Sequence, residues 1–317
     1  MRPLEERGEA RDGAARVVAV EPVRKRGGRG SLERERRQAY WLVAPAVLVL
    51  AGVALYPILA AMWLSLHRFI LVFGEKRFVG LGNYAYLLGD ARFWSALGNT
   101  AYFTAVAVSV ELLLAVPLAL LLQRAFPGRG LLRAAVLVPW AIPTVVSARL
   151  WAWMFNPDYG LINRLLLGAD INWLGAPGYA LHAAILVDVW KTTPFVALLV
   201  LAGLQGIPED LYRAARVDGA SAWRTFRSIT LPLLKPALLL ALLFRSLDAF
   251  RVFDAIYVLT EGGPANTTET LSIYAYKTLM RSGDFGYGSA LSVATFVCVV
   301  VLAAVWLRWL GREEVAR

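Results

Sequence analysis

The sequence predicts an all-α integral membrane protein with six transmembrane helices and both termini on the cytoplasmic side. Hydrophobic residues fill 58% of the 317 positions and charged residues 18%, with a mean hydropathy of +0.54. Soluble domains sit near ~45–50% and ~25%. Six apolar runs recur, each close to the ~20 residues that cross a bilayer. Lys and Arg are shared unequally between the segments that join those runs.

Residues 1–38 are polar and charge-mixed and have no apolar core of a signal peptide. They read as a disordered cytoplasmic tail, with a surface helix over 31–38 as the alternative. The apolar runs cover 39–66, 98–122, 132–154, 180–204, 236–259 and 288–309. Residues 39–309 thus form one membrane domain, and 310–317 a short cytoplasmic tail. Tyr40, Trp41, Trp151, Trp153, Trp306 and Trp309 flank the runs, as an interfacial aromatic belt requires.

The tail, the loops 123–133 and 205–235 and the C-terminus from Arg308 together carry 22 Lys and Arg. The other three loops, 67–97, 155–179 and 260–287, carry 7. The richer side is cytoplasmic by the positive-inside rule. This imbalance accounts for most of the net charge of +10 and requires no nucleic-acid partner.

Catalytic and metal chemistry have little material. Cys298 is the single cysteine, and the two histidines, His67 and His182, are far apart. No G-x-x-x-x-G-K-[ST] is present; Gly74, Glu75 and Lys76 lack its spacing and its Ser or Thr. Asn266, Thr267 and Thr268 match a glycosylation sequon by chance.

Charges inside the runs are more telling. Arg149, Lys191, Arg245, Arg251, Glu111, Asp188, Asp248 and Asp254 all fall at membrane depth, where each costs ~2.5–3.5 kcal/mol if it faces lipid at a helix centre. They must pair, or face protein or water. Glu111 is expected to pair with Arg149 or a partner helix. On a continuous fifth helix, Asp248, Arg251 and Asp254 step by three residues and can pair as neighbours. Arg245 then points away from Asp254, toward the cytoplasmic side. The alternative is that such pairs are structural and fasten helices together, which is compatible with a sugar hydroxyl bridging them.

The fourth and fifth runs hold what a sugar needs, namely hydroxyl partners beside apolar ring platforms. Asp188, Trp190, Lys191, Thr192 and Phe195 lie near mid-membrane in the fourth. Pro194 leaves the Trp190 carbonyl without its helical donor. Phe250, Arg251 and Asp254 are expected to face the path from the fifth.

The longest loop between runs on the basic side, Gln205 to Pro232, reads as two short helices. Pro208 opens the first, with Glu209 and Asp210 at its positive end. Gly219 ends it with a positive-φ cap. The second runs over 221–230 and stops before Pro232. Ala214, Ala215, Asp218, Gly219 and Ala220, then Phe226, Ile229, Leu231 and Pro232, resemble the EAA motif of ABC importer permeases in register. Glu261 to Pro264 resembles the loop after the fifth span of carbohydrate permeases. The resemblance covers Tyr40 to Arg308. In Asp188–Phe195 and Leu247–Asp254 it is closest to the trehalose/maltose branch. Amides at several of these positions in maltose relatives are charges here.

The resemblance implies an ABC type I importer permease in the bacterial inner membrane. Its partners would be a second permease subunit, two ATPase subunits, a periplasmic or lipid-anchored sugar-binding protein and a disaccharide, trehalose or maltose. The chain would carry no cofactor; ATP-Mg would sit on the partner ATPase. Asp188, Trp190, Lys191, Thr192, Phe195, Phe250, Arg251 and Asp254 match the family's sugar-contacting positions. Arg213, Ala214, Ala215, Asp218, Gly219, Ala220 and Phe226 match the ATPase-coupling positions. Arg213 departs from the pattern, since the family has Glu there; Glu209 or Asp210 could supply the acid from one turn earlier. An ion-coupled secondary transporter using Asp188 or Asp254 is the competing reading. It predicts internal repeats that the halves do not show.

Overall fold

The computed structural model describes residues 29–166 and 170–315. The segment 1–28, expected to be a disordered tail, lies outside the described residues. Contacts divide the chain into two units, residues 1–56 and 57–317.

The described residues of the first unit are helical. Helix α1 (Arg29–Leu50) starts ahead of the expected first span and passes into a π-helical turn, Ala51–Leu55. Arg36 Nε donates to the Tyr40 hydroxyl at 3.3 Å. Trp41, Leu42 and Leu48 are exposed, as befits a helix sheathed by lipid or another subunit.

The second unit opens with α2 (Tyr56–Ser65) and a hairpin of β1 (His67–Phe69) and β2 (Lys76–Phe78), paired antiparallel with His67 opposite Phe78. Gly74 turns the hairpin at φ +64°. Helices α3 (Gly82–Gly89) and α4 (Ala91–Gln123) follow. Asp90 caps α4 through the Arg92 N–H at 2.9 Å and accepts from the Tyr274 and Tyr287 hydroxyls at 2.6 and 2.5 Å.

The third span is a correction. Two helices, α5 (Arg129–Ala141) and α6 (Thr144–Met154), replace the single helix expected over 132–154, and they meet at 89°. Pro143 forces Ile142 out of the helical region, to φ −72° and ψ 133°. Counting this bent pair as one span, the described residues hold up to six spans.

After the short α7 (Leu161–Leu165), α8 (Pro177–Gln205) runs unbroken through Pro194. It is the central helix, packed against α4 along its length. Ala107, Ala115 and Ala119 of α4 and Ala184 and Ala197 of α8 are fully buried. Small side chains let helix backbones approach where no hydrophobic effect drives association.

Two short helices, α9 (Glu209–Val217) and α10 (Ala222–Thr225), form the loop after α8. The second was expected to stop before Pro232. Instead a π-helical turn, Phe226–Thr230, leads directly into α11 (Leu231–Ala249), and Ala222–Ala249 is one helix. Pro232 lies inside this continuous helix, just past the π-helical turn, where it cannot donate a backbone hydrogen bond. Gly203 of α8 meets α11 so closely that a Cβ there would lie 2.4 Å from the Ala237 Cβ.

The fifth span ends at Ala249, earlier than expected. Arg251 N–H and Val252 N–H bond three residues back, to Asp248 and Ala249, and Phe253 sits at φ −135°. A new helix, α12 (Asp254–Leu259), then begins with Asp254 on its positive end. Arg251 and Asp254 are therefore not neighbours on one helix. Helices α13 (Leu271–Tyr276) and α14 (Phe285–Val315) hold the last of the described residues.

Candidate functional site

The breaks at Ile142–Pro143 and at 250–253 face each other across α8, and a cavity of about 570 Å³ opens between them. Irregular backbone at this depth is tolerated only against protein or a wet cavity. Both breaks are stitched. Lys191 Nζ donates to the Ile142 and Trp140 carbonyls at 2.6 and 3.3 Å, so a cation caps the C-terminal end of α5. Thr270 Oγ1 donates to the Val252 carbonyl at 3.3 Å.

Of the sequence-predicted site residues, Asp188, Lys191, Thr192, Arg251 and Asp254 line this cavity, joined by Trp140, Asp248 and Phe253. A second cavity of about 440 Å³ continues from it past Thr192, Phe195 and Arg251. Trp140 stacks on Phe195 at 5.5 Å and 14°. Two expected ring platforms are elsewhere. Trp190 lies edge-on against Trp151 at 5.5 Å, and Phe250 is buried among Leu271, Tyr274 and Leu291. The rings that face the cavity are Trp140 and Phe253. The signal for Trp140 was present, an aromatic beside Ile142–Pro143 inside an apolar run.

Arg245 is the largest correction. Expected to turn outward and brace a partner subunit, it is instead 2% exposed and forms the hub of the membrane charges. Its Nε and Nη2 grip Glu111 bidentately at 2.5 and 2.7 Å. Nη2 also reaches Asp188 at 2.8 Å, and Nη1 reaches Asp248 at 2.6 Å. Glu111, expected to pair with Arg149 or a partner helix, is thus held within the chain and is fully buried. Thr192 Oγ1 lies 2.6 Å from Glu111 Oε1 and 2.7 Å from the Asp188 carbonyl. One guanidinium therefore ties α4, α8 and α11 together beneath the cavity. Asp248 keeps 65% of its side chain exposed and lies 3.9 Å from Arg251.

The loop between α8 and α11 folds as its turn chemistry requires. Gly219 adopts φ +68°, its N–H bonds the Arg216 carbonyl at 3.2 Å, and the Ala220 N–H reaches the Ala215 carbonyl at 2.9 Å. Ser221 caps the next turn through the Arg224 N–H at 3.3 Å. Ala215 is buried, whereas Ala214 and Asp218 are exposed. Arg213 turns back along its own helix to Glu209 at 3.4 Å and Asp210 at 3.6 Å. Trp223 stacks on Phe226 at 5.7 Å, at the edge of a groove of about 1020 Å³ that also takes in Tyr212 and Pro117.

With this geometry in place, the likeness to known proteins is informative. Residues 111–313 match the family described as binding-protein-dependent transport system inner membrane component. The chain is 49% identical to the trehalose/maltose transport system permease protein MalF of Thermococcus litoralis, over 87% of this chain and 94% of that one. It is 47% identical to the trehalose transport system permease protein SugA of Mycobacterium tuberculosis, over 89% and 91%. The sulfoquinovosyl glycerol transport system permease protein SmoG of Agrobacterium fabrum is 40% identical, over 88% and 92%. The crystal structure of a bacterial ABC transporter that imports the acidic polysaccharide alginate superposes with a TM-score of 0.77, at 22% identity and over 90% of this chain and 99% of that one. The protein belongs to the binding-protein-dependent transport system inner membrane components, as a multi-pass permease subunit of an ABC importer.

Proposed function

We propose that this permease forms the path for a disaccharide, trehalose or maltose, with Asp188, Thr192, Phe195, Arg251 and Asp254 among its contacts. The two adjoining cavities carry the reading: they join charged hydrogen-bonding groups to the flat Trp140–Phe195 pair at the break between spans. Hydroxyls and apolar ring faces are recognised by that combination. The names of the relatives support the same sugars. Trp190 and Phe250 act from behind, packing the helices that shape the cavity, while Lys191 lines it and caps α5.

In this reading both termini are cytoplasmic. The loop 205–235 docks on an ATPase subunit with Arg213, Ala214, Asp218, Gly219, Ala220 and Phe226, while the buried Ala215 packs behind them. The complete importer has a second permease, two ATPase subunits that hold ATP-Mg, and a periplasmic or lipid-anchored sugar-binding protein. This chain itself carries no cofactor.

Reconstitution of the complete importer in vesicles tests the proposal. ATP-dependent uptake of labelled trehalose or maltose that needs the binding protein is expected. Uptake driven by a proton or sodium gradient without the ATPase would overturn it in favour of an ion-coupled transporter.

A further inference from the structure

Beyond the cavity, on the side of α12 and α13, three aromatic rings gather at the surface. Phe253 and Tyr257 stack at 5.2 Å and 13°. Tyr276 meets both edge-on, at 5.1 and 5.2 Å. The rings are half-buried rather than lost in the core. Phe253 also lines the cavity, so the cluster begins where the cavity ends.

A polar rim completes it. Arg281 Nη2 donates to Glu261 Oε2 at 2.6 Å, with the two side chains 49% and 59% exposed. That guanidinium holds the Glu261 carboxyl below the usual carboxylate range. The Tyr257 hydroxyl interacts with Tyr276 and Arg281. The loop behind this rim is tied by its own hydrogen bonds. Glu261 sits at φ 52°, a region that non-glycine residues rarely enter. Thr260 and Thr268 are joined through their hydroxyls at 2.7 Å, and the fully buried Thr268 also donates to the Gly263 carbonyl at 2.7 Å.

We infer that Tyr257, Tyr276, Glu261 and Arg281 form an outer saccharide subsite at the mouth of the path, which a sugar occupies before it reaches the cavity. The inference rests on the disaccharide reading above. An aromatic platform edged by a hydroxyl pair and an Arg–Glu pair offers a pyranose a stacking face and both kinds of hydrogen-bond partner. The Arg–Glu pair leaves little net charge, which suits a neutral sugar. The shared Phe253 lets a ring pass from one site to the next without crossing bulk water.

The test uses the complete importer in vesicles and a diazirine-bearing trehalose, with labelled peptides mapped by mass spectrometry. Labelling of the peptide that contains Tyr257 or Tyr276, as well as that around Thr192, is expected. Tyr257→Leu should lower the outer labelling about two- to tenfold, the worth of one aromatic contact, while the inner labelling at saturating probe persists. Tyr257→Phe, which keeps the ring, should lose less. Labelling at Thr192 without any at the outer peptides would overturn the subsite and leave the disaccharide reading standing. Absence of both trehalose and maltose uptake by the wild type would overturn both. Tyr257→Leu that weakens binding of the sugar-free binding protein, with outer labelling unchanged, would overturn the subsite in favour of a protein contact.

Discussion

Replacing Arg245 with methionine removes the cation that Glu111, Asp188 and Asp248 share. The three acids are not equally affected. Asp248 is 65% exposed and turns to water, so its loss adds little. Glu111 is 0% and Asp188 13% exposed, and after the change Glu111 keeps only the Thr192 hydroxyl. An acid stranded by loss of its buried partner costs ~3–5 kcal/mol, a large share of a net stability of ~5–15 kcal/mol. Adding Glu111→Gln to Arg245→Met removes one stranded charge and should recover part of the loss. The coupling between the two changes should be ~0.5–3 kcal/mol. Unfolding of the detergent-purified chain by increasing SDS, across wild type, both single variants and the double, measures each corner of the cycle. An Arg245→Met chain within ~0.5 kcal/mol of wild type, or two losses that simply add, would refute the hub.

Other expectations follow from single contacts. Gly203→Val should destabilise the chain by ~1–3 kcal/mol in the same SDS assay, because a Cβ at Gly203 lies 2.4 Å from that of Ala237. Gly219→Pro should abolish sugar-stimulated ATPase activity of the assembled importer, since proline cannot take φ +68° or donate the N–H to Arg216; wild-type stimulation would refute the docking role. Arg213→Ala should change stability by less than ~0.5 kcal/mol, because both of its ion pairs are exposed; a larger loss would show a contact beyond its own helix. Asp90 is opposed by burial, yet the Tyr274 and Tyr287 hydroxyls and the Arg92 and Phe93 N–H groups together hold its carboxyl below the ordinary value of 3.8. Its contribution is full above that value and is lost as pH falls through the lowered one. Acid unfolding of wild type should therefore steepen below about pH 4, and Asp90→Asn should flatten that limb; identical acid profiles would refute the role.

Hydropathy located the spans because lipid imposes a length and a polarity that sequence alone can report. The breaks were less visible. Pro143 was a printed signal for the elbow between α5 and α6, yet its apolar neighbours read as one run. The end of α11 carries no such mark: Phe250, Arg251, Val252 and Phe253 include neither Gly nor Pro, and the unwinding is set by what packs around it. Extending the helix to 259 misplaced every angular argument beyond Ala249. The pairing of Glu111 with Arg245 joins residues 134 apart in sequence, and no local spacing encodes it. Trp190 and Phe250 show the same limit, because residue type suggested a platform while only packing tells which way a ring turns. The turn at Gly219, by contrast, was legible in full, since positive φ, cap and helix start are all local properties.

The crossing at Gly203 has a mechanical corollary. There α8 and α11 touch almost backbone to backbone, and about 15 residues away along α8, some ~22 Å by helical rise, Arg245 bolts the same two helices together again through Asp188. Two rods fastened at two points behave as one beam. A push delivered at the loop that joins them would be carried along the pair rather than absorbed between the fastenings. Past the second bolt lie the unwound residues 250–253, held by bonds only three residues back, so a displaced beam would bend there, beside the cavity.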